Sequence, residues 1–258
     1  MKMPLKKFLF RSSLIGTTKG SFFAAIALII VLGVTTLISP QPSQLVLWSW
    51  QRQDNVSFVN KNTLIAPLVG TIAFNGNNFQ VFPRSNPLTL ETSAQLIPVV
   101  RLEIKPGFFI DDKTLEKIIF HILALTQPCK AKEIQIDFDA TTSQRSFYAK
   151  LLTHLRIALP NTRLSITALA SWCLGDPWIE NLPIDYAVPM VYNLGEDLQS
   201  IKRFLLNTKK WKACKCRGYI GLNRKDIFIK VPKGWTIFIF NDEAWTLRSY
   251  ESLLKEIL

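Results

Sequence analysis

The chain has 258 residues, of which 48% are hydrophobic, and it carries a formal net charge of +12. This length allows one large α/β domain or two small ones, and the apolar content is sufficient for a sizeable core, which excludes a disordered chain. No nucleic-acid-binding motif accompanies the positive charge, so we expect no nucleic-acid partner.

The N-terminal region has the pattern of a membrane-targeting segment. Residues 1–20 contain five Lys or Arg and no acid, and residues 21–39 (SFFAAIALIIVLGVTTLIS) contain no charge. Such an uncharged stretch is near the lower length limit for spanning a bilayer, and the positive-inside rule places its basic flank in the cytoplasm. Because no clear A-x-A cleavage site follows, we favour a signal anchor over a cleaved signal peptide that would release a secreted form. We therefore predict a cytoplasmic leader (1–20), a transmembrane anchor (21–39), a linker (40–44) and a periplasmic or extracellular domain (45–258).

Beyond the linker, apolar runs of strand length alternate with segments of helical period. We predict eight strands, at Leu45–Trp50, Leu68–Phe74, Ile97–Ile104, Glu133–Ala140, Arg163–Trp172, Tyr186–Asn193, Arg217–Leu222 and Trp235–Phe240. The clearest helices are predicted at Thr114–Thr126, Ser143–Leu159, Glu196–Asn207 and Trp245–Leu258. This order predicts an α/β fold of the TIM-type (β/α)8 barrel class, with some short or missing outer helices. A doubly wound open sheet is the alternative, but the glycine-rich phosphate turn of nucleotide-binding sheets is missing from the sequence.

One predicted strand, within EIQIDFDATTSQR at residues 133–145, combines acidic and apolar residues. Side chains of a strand alternate between two faces, so Gln135, Asp137 and Asp139 share one face and apolar residues occupy the other. A buried carboxylate without a partner costs several kcal/mol, so these aspartates require a partner or a task. In a barrel they lie at the C-terminal end of the fourth strand, where active sites of this fold are built. One protonated acid beside an ionised neighbour suits glycoside hydrolysis.

Polar and aromatic residues at the ends of several predicted strands indicate a sugar-binding cleft, because indole rings stack on sugar faces and amides bond hydroxyl groups. The candidate substrate contacts are Trp50, Arg101, Gln135, Trp172, Tyr192 and Asn193. For each tryptophan the alternative is core packing. For Arg101 the alternative is an ion network with Asp137 and Asp139 that only stabilises the barrel, in a structural protein without an open cleft.

The cysteines and histidines do not indicate a metal or cofactor site. Cys129, Cys173, Cys214 and Cys216 lie in a domain predicted to be outside the cytoplasm, where disulfides form, but their spacing leaves the pairing open. The two histidines fall on predicted helices, and Cys214-x-Cys216 lacks a second pair of ligands, so we expect no metal and no cofactor. The sequence contains no catalytic triad arrangement and no nucleophile elbow.

A second concentration of positive charge lies late in the chain. Between residues 202 and 233, eleven Lys or Arg are opposed by a single acid, Asp226. Such a stretch binds anionic lipid headgroups or an anionic glycan, or it is a solvated basic surface. The sequence alone does not separate these interpretations.

Three blocks, IQIDFDATTSQRSFY, LSITALASWCLGDPW and LPIDYAVPMVYNLG, together resemble an uncharacterised bacterial family of domain-of-unknown-function type, from about residue 45 to the C-terminus. More distantly, the arrangement is similar to chitinase-like family 18 glycoside hydrolases. That family has a (β/α)8 barrel with a D-x-x-D-x-D-x-E motif on the fourth strand and an M-x-Y-D motif on the sixth. Here the fourth predicted strand holds Gln135, Asp137 and Asp139, and the sixth holds MVYN at residues 190–193.

The resemblance allows two alignments of the acidic motif. If Asp137 and Asp139 match its last two aspartates, Thr141 stands in place of the catalytic glutamate, and the substrate-assisted mechanism loses its acid. If Asp139 matches that glutamate, Asp137 is the neighbouring orienter and Gln135 replaces an aspartate. Thr141 is also predicted to begin the next helix in a capping box with Gln144.

Together with the predicted anchor, the resemblance leads to the hypothesis of a membrane-anchored, glycoside-hydrolase-like domain that acts on a cell-envelope or extracellular polysaccharide. In that interpretation Asp139 is the general acid, and Asp137 orients it. Thr141 favours the alternative, a catalytically inactive carbohydrate-binding or structural envelope protein. Asn193, which stands where the family has aspartate, is a further departure from the catalytic pattern.

Overall fold

The computed structural model describes residues 43–257, except residues 77, 177, 196, 197, 209, 226, 228 and 229. The predicted leader and anchor therefore lie outside the described residues. Within the described part, no helix has the length and apolar character needed to cross a membrane. The described residues all belong to one compact unit, residues 42–258.

Eight parallel strands close into a barrel. The described residues form eleven strands: β1 (Gln44–Ser49), β2 (Asp54–Asn55), β3 (Leu64–Phe74), β4 (Phe79–Pro83), β5 (Leu88–Thr89), β6 (Val99–Ile104), β7 (Glu133–Asp137), β8 (Arg163–Leu169), β9 (Tyr186–Met190), β10 (Tyr219–Asn223) and β11 (Thr236–Phe240). The barrel runs in the order β1, β3, β6, β7, β8, β9, β10, β11, and β1 pairs in parallel with both β3 and β11 to close it. The predicted fold class and its eight strands are confirmed by this order.

The outer layer is incomplete. The α-helices of the described residues are α1 (Asp112–Thr126), α2 (Arg145–Ala158), α3 (Ala170–Leu174), α4 (Leu198–Thr208) and α5 (Leu247–Ile257), which follow β6, β7, β8, β9 and β11. No α-helix is described between β1 and β3 or between β10 and β11, and β3 continues into an antiparallel pairing with β4. The expectation of short or missing outer helices is thus confirmed for the described residues.

Three predicted strands extend too far, by three residues each, at their C-terminal ends. The fourth ends at Asp137 instead of Ala140, and the sixth ends at Met190 instead of Asn193. The fifth, predicted as Arg163–Trp172, leaves the sheet after Leu169, and α3 begins at Ala170. The apolar run continues through this boundary, so hydrophobic pattern alone does not reveal the turn. The consequence is that residues 170–172 follow the geometry of a helix and not the alternation of a strand.

Strand alternation separates two apolar layers, as predicted for β7. Phe138, at the end of β7, packs on Tyr148 of α2 with ring centroids 5.1 Å apart, in the layer between the strands and the helices. The smaller layer fills the inside of the barrel and is formed by Val46, Trp48, Ala66, Leu68, Ile97, Val99, Tyr186, Val188 and Phe238. The barrel is therefore packed internally up to the level of these side chains.

A disulfide answers the pairing question that the cysteine spacing left open. Cys173 of α3 is bonded to Cys216, which lies shortly before β10, while Cys129 and Cys214 are free. The backbone N–H groups of Lys212 and Ala213 both donate to the Cys173 carbonyl at 3.1 Å. The segment that enters β10 is thus attached to α3 covalently and by hydrogen bonds.

Candidate functional site

A cavity of about 470 Å³ opens at the C-terminal end of the barrel. Parallel strands of a barrel deliver all their C-terminal ends to one face, so side chains distant in sequence meet there. The lining residues come from the ends of most of the strands: Trp48, Trp50, Arg101, Asp137, Asp139, Thr167, Leu169, Ala170, Ser171, Met190, Tyr192, Asn193, Leu194, Ile201 and Phe240. Six of the eight predicted site residues, Trp50, Arg101, Asp137, Asp139, Tyr192 and Asn193, are among them.

Asp137 is held rigidly in the floor of this cavity. Its side chain is almost fully buried, and its two oxygens have different partners. Arg101 Nη1 donates to Asp137 Oδ2 at 2.8 Å, and Thr167 Oγ1 donates to Asp137 Oδ1 at 2.6 Å. These contacts follow from strand register, since β6 pairs with β7 with Arg101 opposite Asp137. The predicted ion pair between Arg101 and Asp137 is present, and it coexists with an open cleft.

Asp139 is exposed to the cavity and has no fixed partner. It follows the last residue of β7 by two positions and forms no hydrogen bond or ion pair with the described residues. The surrounding protein withdraws solvent from its carboxylate and thereby raises the pKa of Asp139 above its ordinary value. The negative charge of Asp137 raises this pKa further, whereas Arg101 opposes the rise. Asp139 is therefore a carboxyl group biased toward its protonated form.

Interlocking aromatic rings form one wall of the cavity. Tyr192 stacks on Phe240 with centroids 5.8 Å apart, and Trp50 meets Phe240 edge to face at 5.7 Å. Trp48 contacts Tyr192 from below at 6.5 Å. Burial, followed by the charges of Asp137 and Asp139, raises the pKa of Tyr192, so its hydroxyl stays neutral and can donate a hydrogen bond. The wall thus combines flat apolar surface with a neutral donor.

The end of β1 is anchored firmly behind this wall. The Arg84 guanidinium donates to the carbonyls of Ser49 at 3.0 Å, Trp50 at 2.6 Å and Arg52 at 2.7 Å. On the other side, Trp245 Nε1 donates to the Trp48 carbonyl at 2.9 Å. These bonds hold the backbone that carries the two tryptophans, so the aromatic wall is preorganised.

Two predicted substrate contacts do not reach the cavity. Gln135 lies fully buried beneath it, where its Oε1 accepts a hydrogen bond from Trp48 Nε1 at 2.8 Å. Trp172 is buried outside the barrel against Trp178, with ring centroids 5.0 Å apart. Because the chain turns into α3 after Leu169, Trp172 belongs to the outer layer, and Ser171 lines the cavity instead. The core-packing alternative describes Trp172 correctly.

Thr141 caps the helical segment that follows β7. The Thr141 N–H donates to Gln144 Oε1 at 3.0 Å, and the two residues form the predicted capping box. Thr141 is not part of the described lining of the cavity, whereas Asp139 is. Of these two residues, Asp139 is therefore the one in contact with the cavity.

Sequence reasoning missed Thr167 and Phe240 as parts of the site. For Thr167 a signal existed: Ser165 and Thr167 are alternate polar residues on an otherwise apolar strand, and Ser165 is paired with Gln135 in the sheet. Thr167 consequently lies beside Asp137. For Phe240 no local signal separates a core aromatic from a cavity wall, because only the height of the residue in the barrel decides it.

A second cavity of about 380 Å³ adjoins the first one and shares Arg101 and Asp139 with it. Its wall includes polar residues after β3 and on β4, among them Asn75, Asn78 and Gln80. Asp139 therefore lies between two adjacent cavities. In the described part of the chain, no group of three or more His, Cys, Asp or Glu residues is arranged to hold a metal ion.

No family model matches the chain, and no curated protein sequence matches it. Among solved structures, the chain is similar to a fungal endo-beta-N-acetylglucosaminidase from glycosyl hydrolase family 18, with 14% identity, a TM-score of 0.47, and coverage of 83% of this chain and 86% of that chain. It is also similar to the catalytic domain of a hyperthermophilic chitinase from Pyrococcus furiosus, with 13% identity, a TM-score of 0.35, and coverage of 78% and 77%. The (β/α)8 assignment depends on the closed strand order, and membership in the bacterial family of unknown function stays a prediction.

Proposed function

We propose that this chain is a membrane-anchored, externally facing glycoside-hydrolase-like protein that acts on a cell-envelope or extracellular polysaccharide. The observation that carries the proposal is the contrast between two neighbouring carboxylates. Asp137 has both oxygens bonded, whereas Asp139 is open to the cavity and has a raised pKa. A fixed carboxylate beside a free carboxyl group with a raised pKa is the arrangement that general acid catalysis of glycoside cleavage requires.

In the proposed reaction, Asp139 transfers its proton to the oxygen of the glycosidic bond. The bond between that oxygen and the anomeric carbon then breaks, the leaving sugar departs as an alcohol, and positive charge develops on the sugar ring. The charge of Asp137 raises the pKa of Asp139 and so keeps the proton available at higher pH. Arg101 and Thr167 hold Asp137 in place for this purpose.

The aromatic wall supports a sugar as the substrate. Trp50 and Phe240 offer apolar faces for pyranose rings, and the Tyr192 hydroxyl offers a neutral donor close to both aspartates. Asn193 lies at the exposed rim of the same cavity, where its amide can bond a sugar hydroxyl. An adjacent second cavity would allow the chain of a polysaccharide to continue past Asp139.

The second candidate function is carbohydrate binding without turnover. Among the described residues that line the main cavity, Asp137 and Asp139 are the carboxylates, and Asp137 is already saturated. The cavity therefore does not support a mechanism in which a second free carboxylate attacks the anomeric carbon. Cleavage would require attack on the anomeric carbon by water or by a group of the substrate itself, as in substrate-assisted families.

The deciding experiment measures product release from a panel of envelope and extracellular glycans by the purified full chain. We expect Asp139→Asn to lower the turnover by about 10²- to 10⁴-fold, because the amide has no proton to transfer. Glu243→Gln is the matched control, since Glu243 is an exposed acid just after β11 and outside the cavity lining. Glycan-array binding without product release would select the binding function, and full activity of Asp139→Asn would contradict the assigned acid.

A further inference from the structure

The N-terminal end of the barrel, opposite the cavity, carries an excess of exposed positive charge. The loops that enter β3, β7, β10 and β11 contain basic residues shortly before each strand begins. We call this set the basic face; it consists of Lys61, Lys130, Lys132, Lys215, Arg217, Lys230 and Lys233. In the described part of the chain, none of these side chains forms an ion pair, although Lys215, which is half-buried, and Arg217 donate hydrogen bonds to backbone carbonyls.

Two carboxylates at the same end offset little of this charge, because each already has an arginine partner; a third, Glu180, accepts a hydrogen bond from the Cys214 N–H. Glu133, the first residue of β7, is buried and paired with Arg163 at 3.2 Å. Asp185, just before β9, is paired with Arg156 at 2.5 Å. The basic face is therefore free to attract an external anionic surface.

An apolar groove lies within the basic face. It forms where the barrel lacks an outer helix, between α4 and the described residues that lead into β11. Leu206 is 62% exposed at its edge, Trp235 is half-buried in its wall, and Lys230 and Lys233 flank it. Apolar side chains surrounded by lysines match the boundary between acyl chains and anionic headgroups of a bilayer.

The chain also enters the barrel at this end. The Gln44 N–H donates to the Trp235 carbonyl at 3.1 Å, and the Gln44 side chain donates to the Asn62 carbonyl. The predicted anchor ends at residue 39 and β1 begins at Gln44, so four residues, 40–43, separate them in sequence. Four residues reach at most about 14 Å, so an anchor at residues 21–39 would tether the barrel by this end.

We propose that the basic face rests on a membrane surface that contains anionic lipid. The inference relies on the membrane anchoring in the proposed function, but it does not depend on catalysis. The lysines bind the headgroups, Leu206 and Trp235 contact the acyl boundary, and the cavity at the opposite end points away from the membrane. The same charges would also suit an anionic glycan, but the position of the chain entry and the apolar groove favour the lipid.

The test compares backbone amide hydrogen exchange of the full chain in nanodiscs of phosphatidylcholine with and without phosphatidylglycerol. We expect segments 210–218 and 230–235 to exchange at least about threefold more slowly in the anionic discs, because each basic residue near the surface adds to the attraction. Raising the ionic strength to about 1 M should remove the difference, since screening then acts over a few Å. Segment 105–111, at the cavity end, should not respond to the lipid.

Two matched variants distinguish the effect of charge on the basic face from the effect of the protein's net charge. Lys132→Gln/Lys230→Gln/Lys233→Gln should lose the lipid-dependent protection, whereas Lys105→Gln/Lys113→Gln/Lys117→Gln, which removes three exposed lysines elsewhere, should retain it. Equal exchange in both lipids, or protection that survives in the first variant, would overturn the proposal. Protection of the same segments by a soluble anionic polysaccharide, without an effect of the anionic lipid, would assign the face to a glycan instead.

If the full chain does not enter nanodiscs, its cosedimentation with vesicles of the same two compositions replaces the exchange measurement. Binding to the anionic vesicles that the first variant loses would support the proposal, and no binding would overturn it. Cleavage of a soluble oligosaccharide should be the same in both lipids. The absence of lipid binding by the basic face would therefore not change the turnover result. The absence of turnover would likewise not change the lipid-binding result.

Discussion

The two ends of β7 carry carboxylates that share a raised pKa but differ in every contact. Glu133, at the start of the strand, is buried, accepts hydrogen bonds from the Tyr186 hydroxyl and from Ser165 Oγ at 3.2 Å, and is paired with Arg163. Asp139, just beyond the end of the strand, has no such partner among the described residues. The main cause of the raised pKa in both groups is the loss of solvent around the carboxyl group, which the surrounding protein displaces. A raised pKa therefore does not distinguish these two carboxyl groups. They differ in that only Asp139 can contact a ligand in the cavity.

The two ends differ because the side chains around them close one end and leave the other open. At the N-terminal end, Tyr186 stacks on Tyr219 with centroids 3.9 Å apart, and the Arg163 guanidinium lies over the Tyr186 ring at 5.0 Å. At the C-terminal end, the rings of Trp50, Tyr192 and Phe240 stand to one side of the cavity. The N-terminal cluster is therefore a plug that stabilises the barrel, and the C-terminal end keeps space for a ligand.

The largest predicted effect is the difference in stability between the variants that truncate Glu133 and Asp139. We expect Glu133→Ala to lower the free energy of unfolding by about 2–4 kcal/mol, because it opens a cavity and leaves the buried Tyr186 hydroxyl without its acceptor. Asp139→Ala should change it by less than about 0.5 kcal/mol, since no partner is lost. Denaturant unfolding of both variants measures this. Equal losses would mean that Asp139 is as structural as Glu133.

A smaller loss should follow when the support of Asp137 is removed. We expect Arg101→Gln to lower the free energy of unfolding by about 1–3 kcal/mol, because the buried Asp137 carboxylate loses a charged partner, although the exposure of Arg101 moderates the cost. Glu103→Gln is the control; it breaks the exposed contact of Arg101 at 3.1 Å and should cost less than about 0.5 kcal/mol. If the control is as costly as Arg101→Gln, the ion pair does not stabilise Asp137.

The smallest expected effect is a displacement of the pH profile of turnover. A general acid must be protonated, so activity is lost as the pH rises through the pKa of Asp139. Asp137 raises that pKa and Arg101 lowers it. Asp137→Asn should therefore move the alkaline limb of the profile to lower pH, and Arg101→Gln should move it to higher pH. Glu133→Gln, at the plugged end, should leave the limb in place; a displacement there would show that the limb reports another group.

The positions of the acids were predictable because they depend on short-range rules. Alternation along β7 puts Asp137 on the inner side, and Asp139 lies two residues beyond the strand at the same C-terminal end, where a site of a barrel is expected. Trp172 was placed at the same end because the apolar run continues past Leu169. The turn into α3 depends on packing against Trp178 and on the disulfide to Cys216, which are contacts between segments distant in sequence.

The sequence by itself determined the strand order, the barrel class, the inward face of β7 and the capping box at Thr141, because these depend on periodicity and on residues a few positions apart. Only the tertiary structure decided that Asp137 is saturated by Arg101 and Thr167 while Asp139 stays free. It also decided the Cys173–Cys216 pairing and which tryptophans reach the cavity. These properties depend on the register between neighbouring strands and on where each chain segment leaves the sheet, and a linear pattern does not contain that information.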